Sequence, residues 1–164
     1  MKFDAVISCP TISSTTAVMK VDPYSRFTFG IPAQNKFDLL YVQHAVTSLK
    51  PSGGRAVVVV PQGVLYRTGV DKDIRKSFID QNILDTVITL PSKVFSGGAN
   101  IPPMVLLLFK TGRTTQDVLF INSESLRVSN TVGTEEDETF ISTIIDVVED
   151  RSVIDEFSYL ASSD

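Results

Sequence analysis

The chain has 164 residues with 43% hydrophobic and 21% charged residues, ordinary globular composition for one domain that buries roughly two-thirds of its unfolded surface, and no apolar run approaches the roughly 20 residues of a membrane-spanning helix. The net charge of −4 excludes a chain that grips nucleic acid alone by neutralising phosphates; DNA is expected only as part of a complex, and no membrane partner is expected. One cysteine and one histidine, Cys9 and His44, exclude an internal disulfide and leave too few soft ligands for a metal centre, while an N-terminus too short to hold a signal peptide's apolar core makes the cytoplasm the expected location.

Phe3 to Ile7 is a short apolar run with a β-branched end, which predicts a strand buried on both faces. Cys9 to Gln34 carries Ser13-Ser14-Thr15-Thr16, Asp22-Pro23 and Gly30-Ile31-Pro32 and reads as a long loop. A helix is predicted over 36–50, with Asn35 as cap and Asp38 in the first turn; Leu39, Val42, Val46 and Leu49 fall on one face. Arg55 to Pro61 is a continuous β-branched strand of the buried parallel kind. Helical spacing returns over 70–81 with Ile74, Phe78 and Ile79, and a strand follows over 84–90. Strand, helix, strand thus occurs twice. Past Pro91 the rhythm changes: strands at 104–110 and 117–122 have no helix between them, so the sheet is predicted to be parallel first and to gain antiparallel strands at its end. The acidic run 130–138 (NTVGTEEDE) reads as an exposed connection, Thr139 to Glu149 as a closing helix, and 151–164 as a tail without strong pattern behind a single domain over 1–150.

The glycine pairs in PSGGR and SGGAN match no phosphate-binding spacing and read as turns. His44 has no partner at a nucleophilic-motif spacing and reads as structural or surface. Arg67, Lys72, Arg75 and Lys76 flank the loop after the central strand and are the candidates for DNA contact, although Asp71 and Asp73 interleave with them.

The run from Phe37 to Lys110 resembles the later half of the modification subunit of type I restriction-modification systems, a family of adenine-specific DNA methyltransferases. Its most specific pieces are PQGVLYRTGVDKDIRK (61–76), similar to the family's proline-glycine-valine-leucine-aromatic stretch before an Ile-Arg helix, and LPSKVFSGGANIPPMVLLLFK (90–110). With the opening strand the resemblance covers nearly the whole chain. It implies an α/β fold, a partial Rossmann-like methyltransferase sheet with helices on both faces.

In that family the opening strand ends in Asn or Asp, then Pro, Pro and an aromatic residue. Aligning FDAVISCPTIS places Cys9, Pro10, Thr11 and Ile12 at those positions, and only Pro10 agrees. A carboxamide and a backbone carbonyl would accept the hydrogens of adenine's amine while an aromatic ring stacks on the flipped base; a thiol is a weak acceptor and isoleucine has no π face. Cys9 is therefore expected to pack as a small apolar residue. The family holds S-adenosylmethionine on a glycine-bearing turn after its first strand and an acidic residue after its second. Neither precedes Phe3, so no cofactor is expected for this chain alone.

The resemblance implies a fragment or degenerate relative of the methyltransferase, supplying the target-base half and inactive alone. The alternative is a non-catalytic module that binds methyltransferase or specificity subunits. The strand at 3–8 is expected at a sheet edge, where a symmetric copy, a partner chain or the loop 11–34 would cover it.

Overall fold

The structure, a computed structural model, describes residues 1–10, 22–32, 36–91, 94–95, 103–124 and 135–162. Its elements in chain order are β1 (Ala5–Ser8), α1 (Asp38–Thr47), β2 (Arg55–Pro61), a 3-10 turn (Gln62–Leu65), α2 (Val70–Asp80), β3 (Leu84–Thr89), β4 (Met104–Lys110), β5 (Val118–Asn122), α3 (Glu135–Asp150) and β6 (Ser158–Ala161). The strands form one sheet in the order β1-β2-β4-β3-β5-β6.

β1 pairs β2 in parallel and β3 pairs β5 in parallel, while β4 is antiparallel to both β2 and β3. The mixed sheet is as expected, but its antiparallel strand sits in the middle, inserted between β2 and β3. Seven residue pairs join β2 to β4, from Arg55↔Lys110 to Pro61↔Met104. The turn at Gly112, at φ +71°, reverses the chain after β4 so that β5 runs in the direction of β3. A second antiparallel strand, β6, pairs β5 at the far edge, from a segment whose sequence carries no strand pattern.

The two faces bury different clusters. On one, Val58, Val60, Leu107, Phe109 and Val87 meet Leu39, Val42 and Val46 of α1 and Ile74 and Phe78 of α2. Phe78 packs edge-on to both Phe29 and Phe109, with centroids 5.0 and 5.2 Å apart, a favourable geometry for aromatic quadrupoles. On the other, Ile88, Leu119, Ile121 and Val147 of α3 form a smaller cluster. α3 starts at Glu135, four residues before the expected helix, because Glu135, Glu136, Asp137 and Glu138 fill its first turn. Carboxylates there complement the free amides of a helix N-terminus, so part of the expected acidic connection is helical. Asn35, expected to cap α1, lies outside the described residues, and Phe37 stands at the cap position.

β1 corrects one expectation. It is exposed rather than doubly buried, with Ile7 at 86% exposure, because it pairs only β2 and no described element covers its α3-side face. An apolar run signals that a strand exists but not whether it has one neighbour or two. Its start is tied to α1 instead: Phe3 N donates to Ser48 O, Lys50 N donates to Phe3 O, and Lys50 Nζ lies 2.6 Å from Asp4 Oδ1. In PSGGR, Gly53 turns at φ +73°, and a Cβ on Gly54 would fall 2.9 Å from that of Leu49. Both act as turn glycines. The pair in SGGAN lies outside the described residues.

Candidate functional site

β1, β2, β3 and β5 run in one direction, so their C-terminal ends share an edge of the sheet, the place where open α/β sheets bind ligands. Ser8 pairs Val58, the last pair of β1, and Cys9 and Pro10 leave the sheet there. Cys9 is exposed, which corrects the expectation that it packs: beyond the last pair of an edge strand, no element among the described residues encloses it. Pro10 is half-buried. Thr11 and Ile12 lie outside the described residues.

The loop after β2 reaches the same edge, and its geometry is set by two arginines. Arg67 Nη1 lies 2.7 Å from Asp38 Oδ2 at the start of α1 and 3.5 Å from Asp71 Oδ2 at the start of α2. Its guanidinium packs over Gly63, where a Cβ would come within 3.2 Å of Nη2. Arg75 donates to Val64 O and Arg67 O, each at 2.8 Å. Burial, and secondarily the positive Arg67, lowers the Arg75 pKa against the opposing pull of Asp71. Asp71 is buried, and its Oδ1 has no hydrogen-bond partner among the described residues. Removing Arg67 would leave this carboxylate without its nearest cation, a larger cost than losing a surface pair.

Of the four basic candidates, then, the structure brings Arg67 and Arg75 together as internal ties of residues 62–69. Lys76 pairs Asp80 at 2.6 Å on the exposed side of α2, a contact worth about 0.3–0.5 kcal/mol. Lys72 is exposed, and no partner of its side chain is found among the described residues. Tyr66, 72% exposed on the loop these arginines hold, was not singled out from sequence, although it ends the PQGVLY stretch.

Sequence reasoning also missed Gln43, fully buried in α1. Its Oε1 accepts from Phe29 N at 3.0 Å and its Nε2 donates to Gly30 O at 2.8 Å, which clamps the segment before α1 onto the helix. His44, next to it, is exposed. At the opposite edge, buried Arg113 lies 3.0 Å from Asp85 Oδ1 and donates to the carbonyls of Leu84 and Asp117. Arg151 joins the same carboxylate at 3.3 Å. Burial lowers the Arg113 pKa, with Asp85 opposing and Arg151 reinforcing.

A family profile described as N-6 DNA Methylase matches residues 1–164. The chain belongs to the N-6 DNA methylase family. It is 38% identical over 128 residues to the type I restriction enzyme MpnII methylase subunit of Mycoplasma pneumoniae, covering 75% of this chain and 23% of that protein. It is 44% identical over 68 residues to the EcoKI methylase subunit of Escherichia coli K12, covering 42% of this chain and 12% of that one. The methyltransferase subunit of a type I restriction-modification system from Streptococcus thermophilus superposes with a TM-score of 0.85 at 30% identity, over 99% of this chain and 34% of its own. This N-6 DNA methylase family chain therefore spans about a third of that structure and less than a quarter of either curated relative. Among the described residues, no helix is long and apolar enough to cross a membrane, and no group of His, Cys, Asp or Glu is placed to hold a metal ion.

Proposed function

We propose that this chain is the target-base side of an adenine-specific DNA methyltransferase sheet of type I restriction-modification, and that it transfers no methyl group alone. The observation that carries the reading is the place of exposed Cys9 and half-buried Pro10, directly after the C-terminal end of β1. This is where the family's adenine-binding motif ends its strand, and Cys9 stands in the carboxamide position. A thiol accepts the amine hydrogens of adenine poorly, and alignment gives Ile12, not an aromatic ring, for stacking.

S-adenosylmethionine would supply the methyl group in the family. The family's glycine-bearing turn and acidic residue belong to strands outside those of this sheet, so none of the described residues is assigned to the cofactor. Arg67 and Arg75 act as positioning residues for the loop carrying Tyr66, while the exposed Lys72 is the cation of the four placed to approach phosphate, Lys76 being paired with Asp80. Methyltransferase and specificity subunits are the proposed partners, by analogy with relatives named as subunits of type I enzymes.

The test is methyl transfer from radiolabelled S-adenosylmethionine to adenine-containing duplex DNA by the purified chain. The expected result is no incorporation above a boiled control. Incorporation that Cys9→Ala abolishes would overturn the reading.

A further inference from the structure

Tyr66 is a large aromatic residue kept in water by a tightly held loop. Its backbone amide donates to Gly63 O at 3.3 Å, and Arg67 N donates to the same carbonyl at 3.2 Å. Arg75 binds Val64 O on one side of it and Arg67 O on the other. Val64 is fully buried, Tyr66 is 72% exposed, Arg67 turns inward to Asp38 and Asp71, and Thr68, Gly69 and Val70 are exposed again. A loop ordered in this way forgoes, at Tyr66, the apolar burial that would offset its ordering.

The other two tyrosines that are more than half exposed, Tyr24 and Tyr159, already use their rings. Arg26 lies over the Tyr24 ring at 5.4 Å, and Tyr159 stacks on Phe120 with centroids 5.0 Å apart. Among the described residues Tyr66 has neither a ring partner nor a cation over it.

Its surroundings select the ligand. Residues 62–70, QGVLYRTGV, hold no acidic side chain in a chain of net charge −4. Past them, exposed Lys72 is offset by exposed Asp73, while Asp71 is buried against Arg67. The local charge is therefore near zero, and the ring, not phosphate neutralisation, has to supply most of any attraction. β2 runs three residues beyond Val58, the partner of Ser8, so the loop begins about 10 Å past the level of Ser8 on the ligand-binding edge.

We propose that Tyr66 stacks on an unpaired DNA base other than the target adenine, with Lys72 on a neighbouring phosphate. It rests on the target-base reading for DNA as the ligand and adds a second contact, on a different loop from Cys9 and Pro10. An aromatic face accepts every base, so this contact is base-tolerant.

The test mixes the full chain, in low salt, with single-stranded hexathymidylate carrying one 5-iodouracil, which cross-links under long-wavelength light to an aromatic ring stacked on it. Peptide mass spectrometry is expected to place the adduct on Tyr66. In NMR titrations, hexathymidylate and hexadeoxyadenylate bind within about threefold of each other. Tyr66→Ser, with an unchanged urea midpoint, weakens both about tenfold; Tyr66→Phe weakens neither, and Lys72→Ala lowers the salt slope by about 0.7. An adduct on another residue, a strong preference for adenine, or no binding of either strand would overturn the proposal. So would affinities untouched by Tyr66→Ser, which would leave the ring to a protein partner. Methyl transfer assayed on the same preparation reports on the target-base reading separately, since that reading survives an unmoved Tyr66 and fails only on incorporation.

Discussion

Along β2, Ala56, Val58 and Val60 are buried beneath α1 and α2, whereas Val57 and Val59, the same kind of residue one position away, stay half-exposed on the α3 face. The strand's sequence is uniformly apolar, as for a strand covered on both sides. The difference is therefore one of supply: among the described residues, two helices reach one face and one reaches the other. A uniform run records what a strand is built to meet, not what the described chain provides.

Substitutions can break or sharpen this contrast. The largest effect is expected from Phe78→Ala, which empties the meeting point of α2, Phe29 and Phe109 and should cost about 3–5 kcal/mol in urea unfolding. Val57→Ala on the other face should cost less, about 1 kcal/mol, since the smaller side chain is only half-buried and leaves no enclosed cavity. Comparable losses at the two positions would show that the α3 face is closed in solution. Next comes Arg113→Leu. It leaves Asp85 with Arg151 and the Thr86 hydroxyl and takes one donor from each of the carbonyls of Leu84 and Asp117, the latter keeping Arg151, for an expected loss of about 2–4 kcal/mol.

Gln43→Leu tests the clamp on the α1 side. Two backbone groups, Phe29 N and Gly30 O, lose their partner, and the expected cost is about 1–3 kcal/mol, with faster amide exchange at Phe29. The smallest effect concerns acid. Asp22 accepts hydrogen bonds from the backbone amides of Tyr24, Arg26 and Phe27 and from the Arg26 guanidinium. Burial raises its pKa, and these bonds together outweigh burial, so the net shift is downward from 3.8. A depressed aspartate stabilises the fold above its unfolded pKa and loses that contribution as pH falls through the lower, folded value. The stability gap between the wild type and Asp22→Asn should thus be constant near neutrality and close below about pH 3.8. A gap that widens in acid would reverse the assignment.

How much of this was legible in the residues depended on whether the determinant was local. The continuous run of β2 and the apolar spacing of α1 and α2 report on nearest neighbours along the chain, and those elements stand where expected. The place of β4 between β2 and β3 is a choice among distant pairings that no local pattern encodes. β6 has only four residues, and its buried Ser158 bonds to Ser152 O and Ile154 N rather than packing, so no alternation announces it. At the site, the position of Cys9 and Pro10 was legible through the strand that precedes them. The basic candidates were visible as a group, but the inward ties of Arg67 and Arg75 depend on Asp38, 29 residues away, and on loop carbonyls. Gln43 is a polar residue on an otherwise ordinary helix, and only the chain folded over it reveals its use.

The central claim is tested most directly by grafting. These 164 residues would replace the matching third of the Streptococcus thermophilus subunit, once as they stand and once with Cys9→Asn, Thr11→Pro and Ile12→Tyr. The account predicts that both chimaeras fold, that the first leaves adenine unmethylated, and that the second methylates it. Methylation by the first chimaera, or a folded second chimaera that binds S-adenosylmethionine and DNA yet methylates nothing, would contradict it.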